Sequence, residues 1–165
     1  MSLIQVSMKT IILDASRISR ITQRIAYQVM EHCYQQDRIT LIGLEPRGTW
    51  VADQVSKVLK DLAPFQVDQL SLNIDHADAL EQDQALIKDR YVILVDDVIK
   101  SGNTMMQAAG AIMQYEPHYL ITASLVDRKH RRYPIQSDFT GLSLATTIQE
   151  HIRLLIDPEP TIFLE

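Results

Sequence analysis

Two adjacent carboxylates, Asp96 and Asp97, followed after a short spacer by Lys100-Ser101-Gly102-Asn103-Thr104, are the residues of this chain best placed to do chemistry. The four residues before them, Val92, Ile93, Leu94 and Val95, form an unbroken apolar run of the kind that makes a strand buried on both faces. Downstream, Met105 to Tyr115 reads as a helix. The acids therefore fall where the strand should end, and the small, hydroxyl-rich loop lies between strand and helix. Such a loop offers free backbone N–H groups and the positive end of a helix dipole, which together suit a phosphate. Carboxylates beside that cradle would repel a phosphate; they suit sugar hydroxyls, or a metal ion carried in with the substrate. The plainer alternative is a strand–turn–helix junction in which an Asp serves only as a helix cap.

The elements that must position these residues alternate along the chain. Thr10 to Leu13 is a short strand candidate, and Asp14 can cap a helix whose apolar positions Ile18, Ile21, Ile25 and Val29 recur at spacings of three and four. Ile39 to Leu44 is a second apolar strand, closed by Glu45-Pro46-Arg47-Gly48, and a helix follows over roughly Thr49 to Leu62. Phe65 to Leu72 alternates like a strand, Asn73 to Asp89 is a polar loop with some helix, and Tyr119 to Val126 is a further apolar strand. Strands alternating with helices predict an α/β fold, an open parallel sheet flanked by helices, because parallel neighbours need crossover connections. Ligands of such sheets sit outside the carboxyl ends of the strands, so Glu45 to Thr49, Asp96 to Thr104 and the residues from Asp127 onward should converge there.

Composition sets outer bounds. The chain has 165 residues, which predicts one domain over 1–165, and 16 basic against 21 acidic side chains give a net charge of −5. No global basic field draws it to nucleic acid, although a local patch remains open. Cys33 is the sole cysteine, so no intramolecular disulfide can form; its place in a helical pattern predicts a buried thiol. There is no apolar run of membrane-spanning length and no signal-peptide pattern, which fits a soluble, cytoplasmic protein with no membrane partner. His32, His76, His118 and His151 show no metal-ligand spacing and read as structural or surface residues, and Trp50 reads as packed under its helix.

The stretch Y-V-I-L-V-D-D-V-I-K-S-G-N-T resembles the 5-phosphoribosyl-1-pyrophosphate (PRPP) signature of the type I phosphoribosyltransferases: an apolar strand, two acids, a spacer, then Thr-Gly-x-Thr. Ser101 replaces the first threonine and keeps its hydroxyl. The resemblance implies the phosphoribosyltransferase fold with a small hood, PRPP bound by Asp96, Asp97, Val98, Lys100, Ser101, Gly102, Asn103 and Thr104, and Mg²⁺ carried by the PRPP. The turn Glu45-Pro46-Arg47-Gly48 resembles the family's pyrophosphate loop. Arg47 then carries over as a pyrophosphate ligand, its planar fork matching phosphate oxygens, and joins Asp96 and Asp97 as a catalytic residue. Pyrimidine-type relatives commonly have lysine where this chain has Glu45. The turn is often cis in the family, and Glu45–Pro46 is a candidate for it.

Asp127 to Gly141, D-R-K-H-R-R-Y-P-I-Q-S-D-F-T-G, is similar to the hood of the bifunctional pyrimidine operon regulator/uracil phosphoribosyltransferases, with pattern D-R-G-H-R-x-x-P-I-x-x-D-[FY]-x-G. The hood is then mainly residues 127–150 plus the N-terminal strand, and Asp127, Arg128 and Phe139 would bind the base, Phe139 by stacking. Lys129 replaces a glycine, Gln136 a basic residue and Leu142 a lysine. Asn73-Ile74 stands where relatives have Tyr-Arg, in a shorter version of the loop that folds over the reacting centre. Lys100 and Asp127 occupy positions where purine-type relatives place an aspartate and a lysine, so the resemblance implies uracil as acceptor, giving a nucleoside monophosphate and pyrophosphate. It also implies a homo-oligomer, dimer or tetramer. Two other readings stay open: a nucleotide-sensing, RNA-binding regulator with little catalysis, and a transferase for a purine or another base. Lys129 to Arg132 is a basic run that could touch RNA or face water; Gln136, Leu142 and the acidic composition weigh against RNA.

Overall fold

The structure, a computed structural model, describes residues 9–147 and 149–165. Residues 1–8, where the sequence lacks a signal-peptide pattern, and Ile148, inside the stretch read as hood, lie outside the described residues. In chain order the elements are β1 (Thr10–Leu13), α1 (Ala15–Cys33), β2 (Arg38–Leu44), α2 (Arg47–Leu62), β3 (Gln66–Leu72), a 3₁₀ segment (Ile74–Leu86), β4 (Tyr91–Ile99), α3 (Asn103–Met113), β5 (Tyr119–Asp127), β6 (Phe139–Ser143), β7 (Ile152–Leu155) and β8 (Thr161–Leu164). Five strands form a parallel sheet in the order β3-β2-β4-β5-β6. No helix among the described residues is long and apolar enough to cross a membrane.

The sheet is apolar on both faces, which explains why its central strands read as continuous runs. Ile39, Leu41, Ile93, Val95, Ile121 and Ala123 pack against α1 and α2, whose buried stripes are Ile18, Ile25 and Val29, and Val51, Val55 and Leu59. Ile42, Leu44, Val92 and Leu94 point the other way, toward Met105, Ala108 and Ile112 of α3. Asp14 caps α1 as its sequence position predicts: the carboxylate accepts from the Arg17 N–H at 2.8 Å, an arrangement worth about 1 kcal/mol. Cys33 is fully buried in the α1 core, and burial pushes its thiol up to about 11, so it is an inert packing group at neutral pH.

Three features add to the sequence reading. First, β4 does not stop at Val95. Its ladder with β5 continues through Asp96↔Ser124, Val98↔Val126 and Ile99↔Asp127, so both acids sit inside the last part of a strand. Pairing to the long, buried β5 outweighs the poor strand propensity of Asp. Second, the polar segment after β3 is a 3₁₀ run, broken at His76 and Asp83, that docks on α3. Leu80 is buried there, Ile74 and Ala77 pack beside it, and the Thr40 hydroxyl donates to the Leu86 carbonyl at 2.5 Å.

Third, part of the stretch read as hood belongs to the main sheet. Phe139 to Ser143 is an edge strand of the main sheet, too short and half-buried to show an apolar run. A small antiparallel sheet, β1-β8-β7, is built instead from the N-terminal strand and residues beyond 150. The β5–β6 connection has no helix. It lies across polar positions of β5: Asp138 accepts from the Thr122 N–H at 2.9 Å, the Thr122 hydroxyl donates to the Gln136 carbonyl at 2.5 Å, and Ser124 bonds Ser137 at 2.9 Å.

Leu80→Ala should lower stability by about 2–3 kcal/mol and speed amide exchange across 74–86 more than in β4. Denaturant unfolding and hydrogen exchange check this; an unchanged midpoint would show that the segment is not docked.

Candidate functional site

Three chain segments meet at the carboxyl ends of β2, β4 and β5. The turn after β2 is anchored by the Glu45 N–H, which donates to the Leu72 carbonyl at 2.9 Å, and Glu45–Pro46 is cis. Arg47 opens α2 and is half-buried, while Glu45 and Pro46 are exposed. Gly48 lies flat against β4: a Cβ there would stand 2.6 Å from the Val95 carbonyl oxygen and 3.2 Å from the Asp96 Oδ1. Only glycine lets the pyrophosphate-type turn approach the acid pair this closely. Trp50 packs against the α1/α2 core, as its position one turn into the helix requires.

Asp96 and Asp97 are half-buried. Burial first, then the neighbouring charge of Asp97, holds the Asp96 carboxyl well above the usual carboxylate range, although its Oδ1 accepts from the Asp97 N–H at 2.8 Å. No ion pair reaches either acid among the described residues, so the charge is uncompensated by side chains. Beside Asp96 lies a cleft of about 120 Å³, lined by Val98 to Met105. Gly102 caps α3 with φ 84°, and the Ser101 hydroxyl accepts from the Asn103 N–H at 3.1 Å. Asn103 and Thr104 are exposed on the first turn of α3, where the N–H groups of Thr104 and Met105 still face the loop and suit an anion. Any side chain at Gly102 would also collide with Ile135, 2.7 Å from the Cβ position.

The segment after β5 is fastened onto this loop. The Arg128 N–H donates to the Ile99 carbonyl at 2.9 Å, and the Arg132 N–H to the Ser101 carbonyl at 2.9 Å. Arg131 donates to the Ile135 carbonyl at 2.6 Å, the Lys100 carbonyl at 2.9 Å and the Asp127 carboxylate at 2.8 Å. Asp127 also accepts from the Lys129 N–H at 2.8 Å. A second cleft, of about 360 Å³, opens between Asp127, Arg131, Gln136 and Thr140.

Two residues expected at the base have other partners in the structure. Phe139 sits opposite Ala123, four residues short of Asp127, and its ring faces His32 at 6.3 Å. It is drawn toward the α1 side of the core because it opens β6 rather than lying on a free hood loop. Arg128 is only 3% exposed, and its guanidinium is spent on Thr146, Thr147 and Glu150; burial lowers its pKa. The residues it grips, and the role of Arg131 as a staple, carry no motif in the sequence; the i,i+4 spacing of Asp127 and Arg131 was the one available signal. His32 and His118 pack on Tyr91 and Tyr119 at the far end of the sheet. Among the described residues, no three His, Cys, Asp or Glu side chains gather as a metal-ligand set.

A parallel sheet with an acid pair, an anion loop at a helix N-terminus and an Arg-Gly turn at one edge defines a phosphoribosyltransferase architecture. The phosphoribosyl transferase domain model matches residues 8–159, and the chain belongs to that family. Within it, the chain is 34% identical to the "Bifunctional protein PyrR" of Pediococcus pentosaceus, covering 93% of this chain and 97% of the relative. It is 35% identical to the protein of the same name from Ligilactobacillus salivarius, covering 88% and 90%. Among solved structures, the fold is similar to a hypoxanthine-guanine phosphoribosyltransferase from Bacillus anthracis, with TM-score 0.70, 16% identity and coverage of 85% and 86%. It also resembles the hypoxanthine phosphoribosyltransferase of Trypanosoma cruzi, with TM-score 0.69, 15% identity and coverage of 82% and 81%.

Because the folded-state pKa of Asp96 is raised above the unfolded value of about 3.9, the folded protein holds an extra proton between the two values. Stability is therefore greatest below the unfolded pKa and falls as pH rises through the folded one. Asp96→Asn should flatten this slope and stabilise the unliganded protein at neutral pH. Unfolding midpoints from pH 4 to 8 measure it, and parallel pH profiles for the two proteins would show the assignment to be wrong.

Proposed function

We propose that the protein transfers the 5-phosphoribosyl group of PRPP to N1 of uracil, releasing pyrophosphate and forming the nucleoside monophosphate. The observation that carries this reading is the contact of the Gly48 backbone with Asp96, which sets Arg47 and the acid pair at one edge beside the α3 loop. In the reaction, the bond from C1′ to pyrophosphate loosens ahead of attack, and positive charge builds on the ribose ring. Asp96 and Asp97, two crowded carboxylates with no side-chain cation, gain most when that charge appears, which is stabilisation specific to the transition state. Their acceptor oxygens suit the 2′ and 3′ hydroxyls. Ser101 to Thr104 would hold the 5′-phosphate at the α3 N-terminus, and Arg47 the pyrophosphate.

Mg²⁺ fits this site as a guest rather than a resident. Two carboxylates provide too few ligands for a protein-held octahedral ion but suit one that arrives with phosphate and sugar oxygens. When bound, it neutralises charge on the departing pyrophosphate. The preference for a pyrimidine rests on Lys100 and Asp127, which stand where purine-type relatives carry the groups that read a purine. Asp127 is moreover committed to Arg131 and the Lys129 N–H. Glu45 beside the pyrophosphate turn, and a β3–β4 segment docked on α3 instead of over the acids, favour slow turnover.

A second reading is a nucleotide-sensing regulator that binds RNA. Arg17, Arg20 and Arg24 line one exposed face of α1 around a cleft of about 310 Å³ with Leu13, Ile21 and Leu142. Arg24 is partly committed to the Thr140 and Gly141 carbonyls. The run Lys129 to Arg132 contributes less than its composition suggests, because Arg131 is consumed internally.

Pyrophosphate release across uracil, hypoxanthine and guanine at saturating PRPP and Mg²⁺ tests the first reading. Uracil should be the fastest acceptor, and faster turnover with either purine would overturn the base assignment. Asp97→Asn should weaken PRPP binding about tenfold or more, the worth of a charge-assisted hydrogen bond. Equal affinities by calorimetry would remove Asp97 from the site. Filter binding of a pyrimidine-gene leader RNA, with and without Arg20→Glu, tests the second reading.

A further inference from the structure

We propose that Arg128 is a positioning residue for the acceptor base: its buried guanidinium holds Thr146, Thr147 and Glu150 as a roof over the carboxyl end of β5. The inference rests on the phosphoribosyl-transfer reading and assigns the roof to the base half of the site.

Leu144 to Thr147, Gln149 and Glu150 belong to no helix or strand, so their backbone has no ladder to hold it. It is pinned at three kinds of point. The Leu144 N–H donates to the Asp127 carbonyl at 2.9 Å, where β5 ends. The Arg128 Nε donates to the Thr146 hydroxyl at 2.9 Å, and its Nη2 donates to the Thr147 carbonyl at 3.1 Å and the Glu150 carbonyl at 2.5 Å. The Thr147 N–H in turn donates to the Glu150 carboxylate at 2.6 Å, closing the loop on itself. The His130 ring adds a contact to Thr146 from the same side.

A guanidinium that is 3% exposed is an expensive way to fill space. An apolar residue would fill it more cheaply but would strip the Glu150 carbonyl of its donor and leave the Thr147 carbonyl and the Thr146 hydroxyl with weaker partners only. Arg128 is the residue type that can supply three divergent donors from one stem, and lysine, a point charge, cannot reproduce that fork. The backbone N–H of the same residue is bonded to Ile99, at the last position of β4 before the PRPP-type loop. One residue thus fixes the roof relative to the strand that carries the acid pair. A flat heterocycle is recognised by fixed donors and acceptors at its edge, and a held loop backbone supplies them, whereas a loose one does not. The phosphate cradle at Ser101 to Thr104 makes none of these roof bonds, so base affinity and PRPP affinity should respond separately.

The test compares Arg128→Lys, Arg128→Ala and the milder Thr146→Val with wild type. The readouts are KM for uracil at saturating PRPP and Mg²⁺, Kd for UMP and for PRPP by calorimetry, and amide exchange. Expected are a rise of about tenfold or more in KM for uracil and Kd for UMP, an unchanged Kd for PRPP, and partial recovery of Arg128→Ala by added guanidinium. Exchange should accelerate in 144–147 and at Glu150 and not in 100–104. PRPP and UMP affinities falling together, or neither changing, would overturn the proposal. If wild type turns over no base, the transfer reading fails alone; UMP affinity and roof exchange then decide the role of Arg128, and both unchanged in Arg128→Lys would refute it. Should Arg128→Ala fail to fold, Arg128→Lys and Thr146→Val carry the same comparison.

Discussion

Two acids in adjacent positions of a half-buried strand, which cannot both carry charge there without cost, are the constraint on which the site depends. Burial and mutual repulsion raise the Asp96 pKa, and no ion pair among the described residues offsets them. A protein gains nothing in stability from such an arrangement. It becomes useful only when a positive or hydroxyl-bearing group arrives, because the relief then adds to the binding or, if the charge develops during reaction, to the rate. Everything around the pair preserves this tension. The β4–β5 ladder extends past the acids and fixes their spacing, while the Gly48 backbone occupies the side from which a larger residue would push them apart.

The rest of the edge is assembled by backbone rather than by side-chain pairs. Ile99, Lys100 and Ser101 each lend a carbonyl to the segment 128–132, so the anion loop and the strand end beside it form one unit. Gly102 permits the packing of Ile135 against that loop, and its left-handed φ turns the chain into α3. Arg131 joins the two halves by bonding across them, with Asp127 as its counter-ion. Such a network resists small displacements, which is what a reaction that depends on alignment of a leaving group, a ribose and a base requires.

How much of this was legible in the sequence follows from range. The parallel sheet could be read because each central strand is apolar on both faces and each helix carries a stripe at its own period. The acid pair, the Ser-Gly-Asn-Thr loop and the Arg-Gly turn are local, so residue type and spacing sufficed to place them together. Beyond that, the signal fades where structure is made by distant partners. β6 is a half-buried edge strand with the sequence Phe-Thr-Gly-Leu-Ser, which no pattern distinguishes from a loop, and so Phe139 was read as a free aromatic. The β7 and β8 strands are four residues each and depend on β1, far away in the chain. Arg128 illustrates the same limit: its residue type announces a role, but whether the fork faces a ligand or its own backbone is decided by residues 18 to 22 positions later.

Catalysis and sensing make different demands on this edge, and the β3–β4 segment is where they separate. On the proposed reading, binding a ribose phosphate would need only the acids, the loop and Arg47, which the fold brings to one edge. Transfer needs in addition that water be kept from a reactive ribose centre, and that the group screening it be free to move. Here the connection after β3 spends its apolar residues, Ile74, Ala77 and Leu80, on α3, and Thr40 fastens its far end through Leu86. Covering the acids would mean giving up that burial, so closure would have to be driven by substrate contacts worth more than the docking it undoes. A chain that keeps its ligand site intact while anchoring its cover retains binding energy at the expense of rate.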